Sequence, residues 1–420
     1  MAVSGSQHGN LTLIKSLTFM MFMMFAMTTD SVGVIIPQII KQFHLSMTAA
    51  GAFHYVSMAA IAFAAISLGF LADKLGRKRT IIIGLVIFAL NSYLFALGNS
   101  FAYFVVLLAI SGAAIGIFKT GALALIGDIS SSTTQHTSNM NAVEGFFGVG
   151  AIIGPAIVAR LLAAGAPWKW LYVIAGTICV LLIITASLVK YPETKANDEG
   201  VIDLARTMEM VKDPYALGFS GAIFLYVAVE CAIYVWMPTL LINYHGNAVF
   251  MATYAISIFF ILRAAGRFVG AWLLAHVNWT LAMTILSFLI FVCFLGSMLG
   301  GINVAVFLLP CSGLFMSAVY PTVNSKGISC FRKPEHGAVS GVILFFTCAA
   351  GALGPLAMGA VSDFFGGPKY GFFLATTFAG LLFLATLMNS VFQPARARLN
   401  RLDTSEYDIP QRLPITDAPH

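Results

Sequence analysis

Long apolar runs separated by short polar connections extend along almost the whole chain. Twelve such runs are present, and they lie at residues 16–40, 51–72, 80–97, 102–127, 138–164, 168–189, 215–243, 250–275, 280–299, 302–328, 336–362 and 370–392. A helix rises about 1.5 Å per residue, so roughly 20 apolar residues cross the ~30 Å hydrocarbon core of a bilayer. The pattern therefore predicts an all-α membrane protein with about twelve transmembrane helices.

One long polar stretch, residues 190–214, divides the apolar runs into two groups of six. Val201, Leu204 and Met208 recur there at helical spacing, which predicts an amphipathic helix on the inner membrane surface. We therefore expect four segments: an N-terminal six-helix bundle at 1–189, a cytoplasmic linker at 190–214, a C-terminal six-helix bundle at 215–392 and a disordered cytoplasmic tail at 393–420.

The two groups of runs resemble each other at a spacing of 200 residues. Gly154-Pro155 in the fifth run corresponds to Gly354-Pro355 in the eleventh, and Asp30 in the first run corresponds to Glu230 in the seventh. Pseudo-symmetric six-helix repeats occur in transporters whose halves rock about a site near the bilayer midplane. The same repeat also fits an ancestral duplication without any bearing on mechanism.

Composition excludes the soluble classes of protein. Hydrophobic residues make up 59% of the 420 residues and charged residues 10%, whereas soluble domains carry about 25% charged residues. The net charge of +6 comes from lysines and arginines that gather in the connections on one side. By the positive-inside rule, this predicts a multi-pass protein of the cytoplasmic (inner or plasma) membrane with both termini in the cytoplasm. We therefore expect the lipid bilayer, and no nucleic acid, as a partner.

Sequence signatures of catalysis are lacking. The six cysteines are scattered singly, without a Cys-x-x-Cys pair, so we expect neither disulfides nor a metal site. The chain also contains no His-Glu-x-x-His or Gly-x-Ser-x-Gly motif. We therefore expect a protein that is not an enzyme. We also expect it to be monomeric.

The connection between the second and third runs reads GFLADKLGRKR. Glycine allows close helix approach and tight turns, an acid pairs with a cation or a helix N-terminus, and bases hold the cytoplasmic face. These residues are Gly69, Asp73, Gly76, Arg77, Lys78 and Arg79. The motif resembles the signature loop of major facilitator transporters, which implies two six-helix bundles and a gating role for this loop. A plain basic anchor is the alternative interpretation.

Four further segments resemble the fucose/hexose–proton symporter family. They read NAVEGFFGVGAIIGP (141–155), FLYVAVECAIYVWMPTLL (224–241), GRFVGAWL (266–273) and FMSAVYPTVNSKGI (315–328). The family includes bacterial fucose permeases, glucose/mannose permeases and sodium-dependent glucose transporters. The resemblance implies transport of a monosaccharide by symport with a cation, H⁺ or Na⁺, and no other cofactor.

Six charged residues fall inside the apolar runs and away from the ends of those runs, where a charge is costly and usually functional. The acids are Asp30, Glu144 and Glu230, and the bases are Lys119, Arg263 and Arg267. We expect these six residues to form a coupling or charge network, because equal numbers allow each charge to be neutralised. Lys119 and Glu144 lie roughly 10 Å from the inner ends of consecutive helices, which favours an ion pair between them. A direct role in transport, with Lys119 binding an anionic solute or taking part in cation coupling, is the alternative.

Candidate solute contacts surround Glu230. Tyr226, Glu230 and Tyr234 recur at every fourth position and would line one stripe of an α-helix. A carboxylate accepts hydrogen bonds from sugar hydroxyls, while aromatic rings cover the C–H face of a sugar. Packing against neighbouring helices is the alternative role of the rings. Three polar residues on other helices are expected to face this stripe, namely Tyr320, Asn324 and Asn141.

Three positions depart from the fucose/hexose pattern. Gly33 precedes Pro37-Gln38 where fucose permeases carry an acid, Lys119 replaces a glutamate in the fourth run, and Arg263 replaces an apolar residue. The two added cations favour an anionic solute, such as a uronate or another organic acid, as an alternative to a neutral sugar. Export of a drug or metabolite by the same fold is a further alternative.

Overall fold

The computed structural model describes residues 3–68, 75–129, 133–191, 210, 212–331 and 336–402. Every regular element in these ranges is helical, and twelve helices are long and apolar enough to cross a membrane. The predicted all-α membrane fold is thereby confirmed.

The twelve crossing helices are labelled α1–α12. In the first half they are α1 (Val3–Thr29 continued by Val32–Phe43), α2 (Met47–Ala50 continued by Ala52–Leu68), α3 (Arg77–Leu97), α4 (Phe101–Asp128), α5 (Thr133–Ala163) and α6 (Trp170–Leu188). In the second half they are α7 (Pro214–Cys231, a π-helical turn Ala232–Trp236 and Met237–Leu241), α8 (Ala255–His276), α9 (Trp279–Gly300), α10 (Ile302–Met316 continued by Val319–Ser329), α11 (His336–Phe365) and α12 (Pro368–Phe392). A five-residue helix, Val249–Thr253, precedes α8, and a short helix α13, Arg396–Leu402, follows α12.

The π-helical turn of α7 follows from a proline. Pro238 has no N–H, and its ring would clash with the carbonyl of Tyr234 four residues earlier in a regular α-helix. The wider turn at Ala232–Trp236 avoids this clash. The carbonyl of Tyr234 thereby faces Gly33 of α1, where any side chain would collide with it.

The break in α1 lies beside Asp30. Thr28 and Ser31 donate hydrogen bonds to the backbone carbonyls of Phe25 (2.9 Å) and Met27 (2.6 Å). Such side-chain bonds compete with the helix ladder and bend helices. They place Asp30 at a discontinuity, so its side chain lies between the two segments of α1.

The two halves use the same helix pairing. In the first half the extensive pairs are α1 with α5, α2 with α4, α3 with α4 and α3 with α6. The second half repeats this set, each helix number being raised by six: α7 with α11, α8 with α10, α9 with α10 and α9 with α12. The repeat of sequence motifs is therefore matched by a repeat of packing.

Among the described residues, contacts between the halves gather at one end of the bundle. The end that carries both ends of the described chain is called the terminal end, and the opposite end is called the distal end. Extensive contacts between halves join α2 to α11, α5 to α8 and the distal part of α1 to α7.

The structure corrects the prediction of a disordered tail from residue 393. Residues Arg396–Leu402 form α13, and Ala395 and Leu399 are buried. The tail beyond residue 402 and the predicted amphipathic helix of the linker lie outside the described residues.

Candidate functional site

A buried ion pair lies in the middle of the second half. Glu230 of α7 is 7% exposed, and its Oε1 contacts Nη1 of Arg263 on α8. The arginine also lies over the ring of Phe260, 6.0 Å from its centre. A charge removed from water in this way is tolerated only when it is paired. The charges of Glu230 and Arg263, each in an otherwise apolar helix, therefore neutralise each other.

The aromatic neighbours of Glu230 differ in their roles. Tyr226 is fully buried, and its hydroxyl donates to the carbonyl of Met316 (3.0 Å) at the break in α10. The ring of Tyr320 lies 6.2 Å from that of Tyr226, and its hydroxyl is 3.4 Å from Thr347 on α11. Asn324 lies one turn further along α10 and is half-buried. The hydroxyl of Tyr226 is thus already used in helix packing, whereas Tyr320 lies at the junction of α7, α10 and α11.

The predicted continuous stripe of Tyr226, Glu230 and Tyr234 is wrong. Tyr234 lies in the π-helical turn, which changes the register after Cys231. Its hydroxyl is 2.8 Å from the Cys231 sulfur, and its ring packs 5.4 Å from His54 of the first half. Tyr234 therefore lies at the junction between the halves.

The predicted ion pair between Lys119 and Glu144 is also wrong, since no salt bridge joins these two described residues. The Lys119 amino group instead lies over the ring of Phe147 on α5, 5.4 Å from its centre. Glu144 is exposed beside Gly145 and Gly148, where an added methyl group would meet nothing within 4 Å. Glu144 is therefore an exposed carboxylate that Lys119 does not neutralise.

Five of the six charges lie in one central region between the halves. Asp30 accepts a hydrogen bond from Thr29 (2.9 Å) and is within electrostatic range of Lys119, Arg263 and Glu230. Glu144 is within electrostatic range of Glu230 and Arg263. Arg267 is exposed one turn beyond Arg263, towards the terminal end. The side chain of Asn141, on α5, lies outside the described part of the structure.

The distal end is closed by a contact that sequence reasoning missed. Asp363, at the end of α11, accepts hydrogen bonds from the backbone N–H of Met47 (2.7 Å) and of Thr48 (2.8 Å). The Thr48 hydroxyl adds a third bond to the same carboxylate (2.5 Å). The carboxylate of one half thus caps the first turn of α2 in the other half. Ser46, a typical N-cap residue, was the available sign that a helix begins here.

Two further contacts hold the halves together at the distal end. The Ser257 hydroxyl of α8 donates to the carbonyl of Ile152 on α5 (2.9 Å). Gly33 of α1 lies against the carbonyl of Tyr234 on α7. Gly33, at the position where fucose permeases carry an acid, is a point of close approach between the halves in this chain.

The described part of the signature loop holds helix ends at the terminal end. Gly76 has a positive φ of 83°, a conformation that favours glycine. Arg77 forms a salt bridge with Asp128 at the end of α4 (2.9 Å). Lys78 donates to the carbonyls of Ser187 (2.8 Å) and Val189 (2.7 Å), which caps α6. Arg79 is exposed, while Gly69 and Asp73 lie outside the described residues.

Comparison with known proteins agrees with this architecture. The chain is 31% identical to the quinolone resistance protein NorA of Staphylococcus aureus over 132 residues, which are 31% of this chain and a third (33%) of NorA. It is 22% identical to a glucose/galactose transporter of Brucella abortus over 372 residues, which cover 84% of this chain and 88% of that protein. The crystal structure of the E. coli fucose:proton symporter FucP matches with a TM-score of 0.62 at 21% identity, covering 91% of this chain and 98% of that one.

The sequence model of the Major Facilitator Superfamily matches residues 17–355. Since this match spans most of the 420 residues, the chain belongs to the Major Facilitator Superfamily, whose members are membrane transporters that work by alternating access and are not enzymes.

Proposed function

We propose that this transporter carries a monosaccharide across the cytoplasmic membrane in symport with a cation. The observation that carries the proposal is the ion pair of buried Glu230 and half-buried Arg263, midway along α7 and α8 of the second half. A paired carboxylate and guanidinium offer both acceptors and donors, which is the set of partners that sugar hydroxyls require. A cavity lined only by apolar side chains would instead favour an apolar drug.

The surroundings of the pair support a polar solute. Tyr320 presents a ring beside the pair, while Asp30, Glu144 and Lys119 add polar groups from the first half. The glucose/galactose transporter aligns over most of its length with this chain, and FucP shares its fold. NorA matches a shorter region, so it supports the superfamily more than the solute.

The closed distal end supports alternating access by rocking of the halves. Asp363, Ser257 and the Gly33–Tyr234 contact all lie on the distal side of the charged cluster. With both termini in the cytoplasm, as the distribution of basic residues predicts, this conformation is closed to the outside. Import would then require these contacts to break so that the solute reaches Glu230 from outside.

The coupling ion would be taken up by a carboxylate of the same cluster. Asp30 lies at the break in α1 and within electrostatic range of Lys119, Arg263 and Glu230. Adding H⁺ or Na⁺ there would change the charge balance around the Glu230–Arg263 pair. Solute and cation would thereby influence each other through direct electrostatics.

An anionic sugar derivative is the second candidate, and one observation favours it. Lys119 has no carboxylate partner within ion-pair distance in the described part of the chain, although it lies in the central region. A uronate carboxylate would supply the missing partner. Lys119→Met should then abolish uronate transport while leaving transport of neutral hexoses measurable.

Uptake into proteoliposomes tests the proposal. Purified protein is reconstituted and offered labelled glucose, galactose, fucose, glucuronate and a fluoroquinolone, with and without imposed H⁺ and Na⁺ gradients. We expect gradient-driven uptake of at least one neutral hexose by the wild type and its loss in Glu230→Gln. Lys369→Gln, at an exposed distal position, controls for loss of one charge and should transport normally. Uptake of the fluoroquinolone alone would overturn the proposal.

A further inference from the structure

A polar cavity lies at the terminal end of the second half, away from the central cluster of charges. It has a volume of about 320 Å³ and lies between the start of α9, the last turns of α10 and α12, and α13. Its polar lining includes Asn278, Lys326, Asn389, Gln393, Arg396 and Asn400. This volume is within the range of sites for small ligands, roughly 300–1,000 Å³.

The cavity carries positive charge without an acid to balance it. Lys326 and Arg396 both line it, whereas no aspartate or glutamate is among its lining residues. Neither cation forms a salt bridge within the described ranges of the chain, although Arg396 donates to the side-chain oxygen of Gln393 (3.1 Å). Two cations held around one cavity favour an anion as the occupant.

Neutral donors and a helix terminus add to this preference. The 22-residue helix α9 begins at Trp279, and the side chain of its N-cap residue, Asn278, forms no capping hydrogen bond. The first N–H groups of α9 and the positive end of its dipole therefore remain available beside Thr280, which lines the cavity. Side-chain amides from Asn389 and Gln393 provide further donors.

A specific set of contacts holds α13 across this cavity. The Arg398 guanidinium lies 4.7 Å from the ring centre of Tyr215 and 4.4 Å from that of Phe331. It also forms a salt bridge with Asp213 (3.1 Å), and Leu399 is buried. These contacts join α13 to the start of α7 and the end of α10, and Leu399 and Arg396 of the same helix line the cavity.

We propose that this cavity binds a phosphate group, carried either by an anionic lipid headgroup or by a soluble phosphate. Phosphate oxygens accept from lysine, arginine, amide and helix N-terminal donors at once, which matches the set of donors present here. The cavity lies at the end of the bundle, where lipid headgroups meet the protein. Binding would fasten α13 to α9, α10 and α12.

Binding by purified full-length protein tests the proposal. The probes are nanodiscs and mixed micelles containing phosphatidylglycerol, matched samples containing phosphatidylcholine, and inorganic phosphate in a lipid-free detergent. Native mass spectrometry and titration of intrinsic fluorescence measure the dissociation constants. The variants are Lys326→Gln, Arg396→Gln and both together. Arg401→Gln is the matched control, because Arg401 is exposed on the same helix and does not line the cavity.

We expect the wild type and Arg401→Gln to bind one phosphate-bearing probe equally well. The double variant should bind it at least about tenfold more weakly, which corresponds to the loss of charge-assisted hydrogen bonds. Preference for phosphatidylglycerol over phosphatidylcholine identifies a lipid headgroup as the source, and saturable binding of inorganic phosphate identifies a soluble one. Unchanged binding in the double variant, or an equal loss in Arg401→Gln, would overturn the proposal. Because Arg396 is exposed, its single variant tests the site even if the double variant is unstable.

Discussion

Glu230 and Arg263 depend on each other because each would be an isolated charge in the bilayer without the other. The importance of both positions could be predicted from the sequence, because charged residues are rare in apolar runs. Their pairing could not, because three acids and three bases allow several combinations. Equal depth suggested that Lys119 pairs with Glu144, but depth does not determine which way a side chain points. Lys119 lies over Phe147, and Glu144 is exposed.

Double substitution tests this interdependence. Glu230→Gln or Arg263→Met alone leaves an uncompensated charge and should destabilise the protein by about 3–5 kcal/mol. The double variant should recover much of this loss because no charge remains. Thermal unfolding in detergent measures the series, with Lys369→Gln as the control. Strictly additive losses in the double variant would show that the two residues act independently.

Interrupted helices surround the candidate site: α1 is broken beside Asp30, and α7 contains a π-helical turn after Cys231. The number of helices could be predicted because the thickness of the bilayer fixes the length of an apolar run. The π-helical turn was not predicted, although Pro238 was visible, because a proline can kink a helix, end it or widen one turn. Helix α13 was not predicted because its stability comes from Tyr215, Phe331 and Asp213, which are distant in sequence.

Gly33 and the carbonyl of Tyr234 provide a test of the contact between α1 and α7. A methyl group at position 33 would collide with this backbone carbonyl, which cannot move without shifting α7. Gly33→Ala should therefore disfavour distal closure and slow transport at least about tenfold, with little effect on expression. Gly218→Ala is the matched control, since an added methyl group there meets nothing within 4 Å. Uptake rates in proteoliposomes compare the two, and normal transport by Gly33→Ala would contradict a close approach of α1 to α7 during the transport cycle.

In the described part of the chain, a small number of polar contacts between the halves closes the distal end. The paired packing of α1–α6 and α7–α12 follows the sequence repeat, so each half could be anticipated from its motifs. The choice between a closed and an open distal end could not, because the contacts of Asp363 join residues 316 and 315 positions apart in sequence. Asp363 favours the closed form because its carboxylate satisfies the first N–H groups of α2.

Replacing Asp363 should shift the conformational equilibrium. Asp363→Asn keeps the size of the side chain but removes the charge and one acceptor oxygen. Loss of a helix cap costs about 1–2 kcal/mol, or roughly a 5- to 30-fold change in the equilibrium towards the distally open form. Pulsed electron paramagnetic resonance between spin labels at Lys41 and Phe364, both exposed at the distal end, measures the change. Lys369→Gln serves as the control, and identical distance distributions in Asp363→Asn and wild type would exclude Asp363 as a clasp.

Equilibrium binding to the purified protein shows whether the Glu230–Arg263 pair recognises a polar solute. Labelled monosaccharides and uronates are titrated onto the wild type, Glu230→Gln and Lys369→Gln in a scintillation proximity assay. We expect saturable binding of at least one of these solutes by the wild type and by Lys369→Gln. In Glu230→Gln that binding should be at least about tenfold weaker, because a charged acceptor is lost from a site shielded from water. Equal affinity in Glu230→Gln and the wild type would show that the Glu230 carboxylate does not recognise the solute.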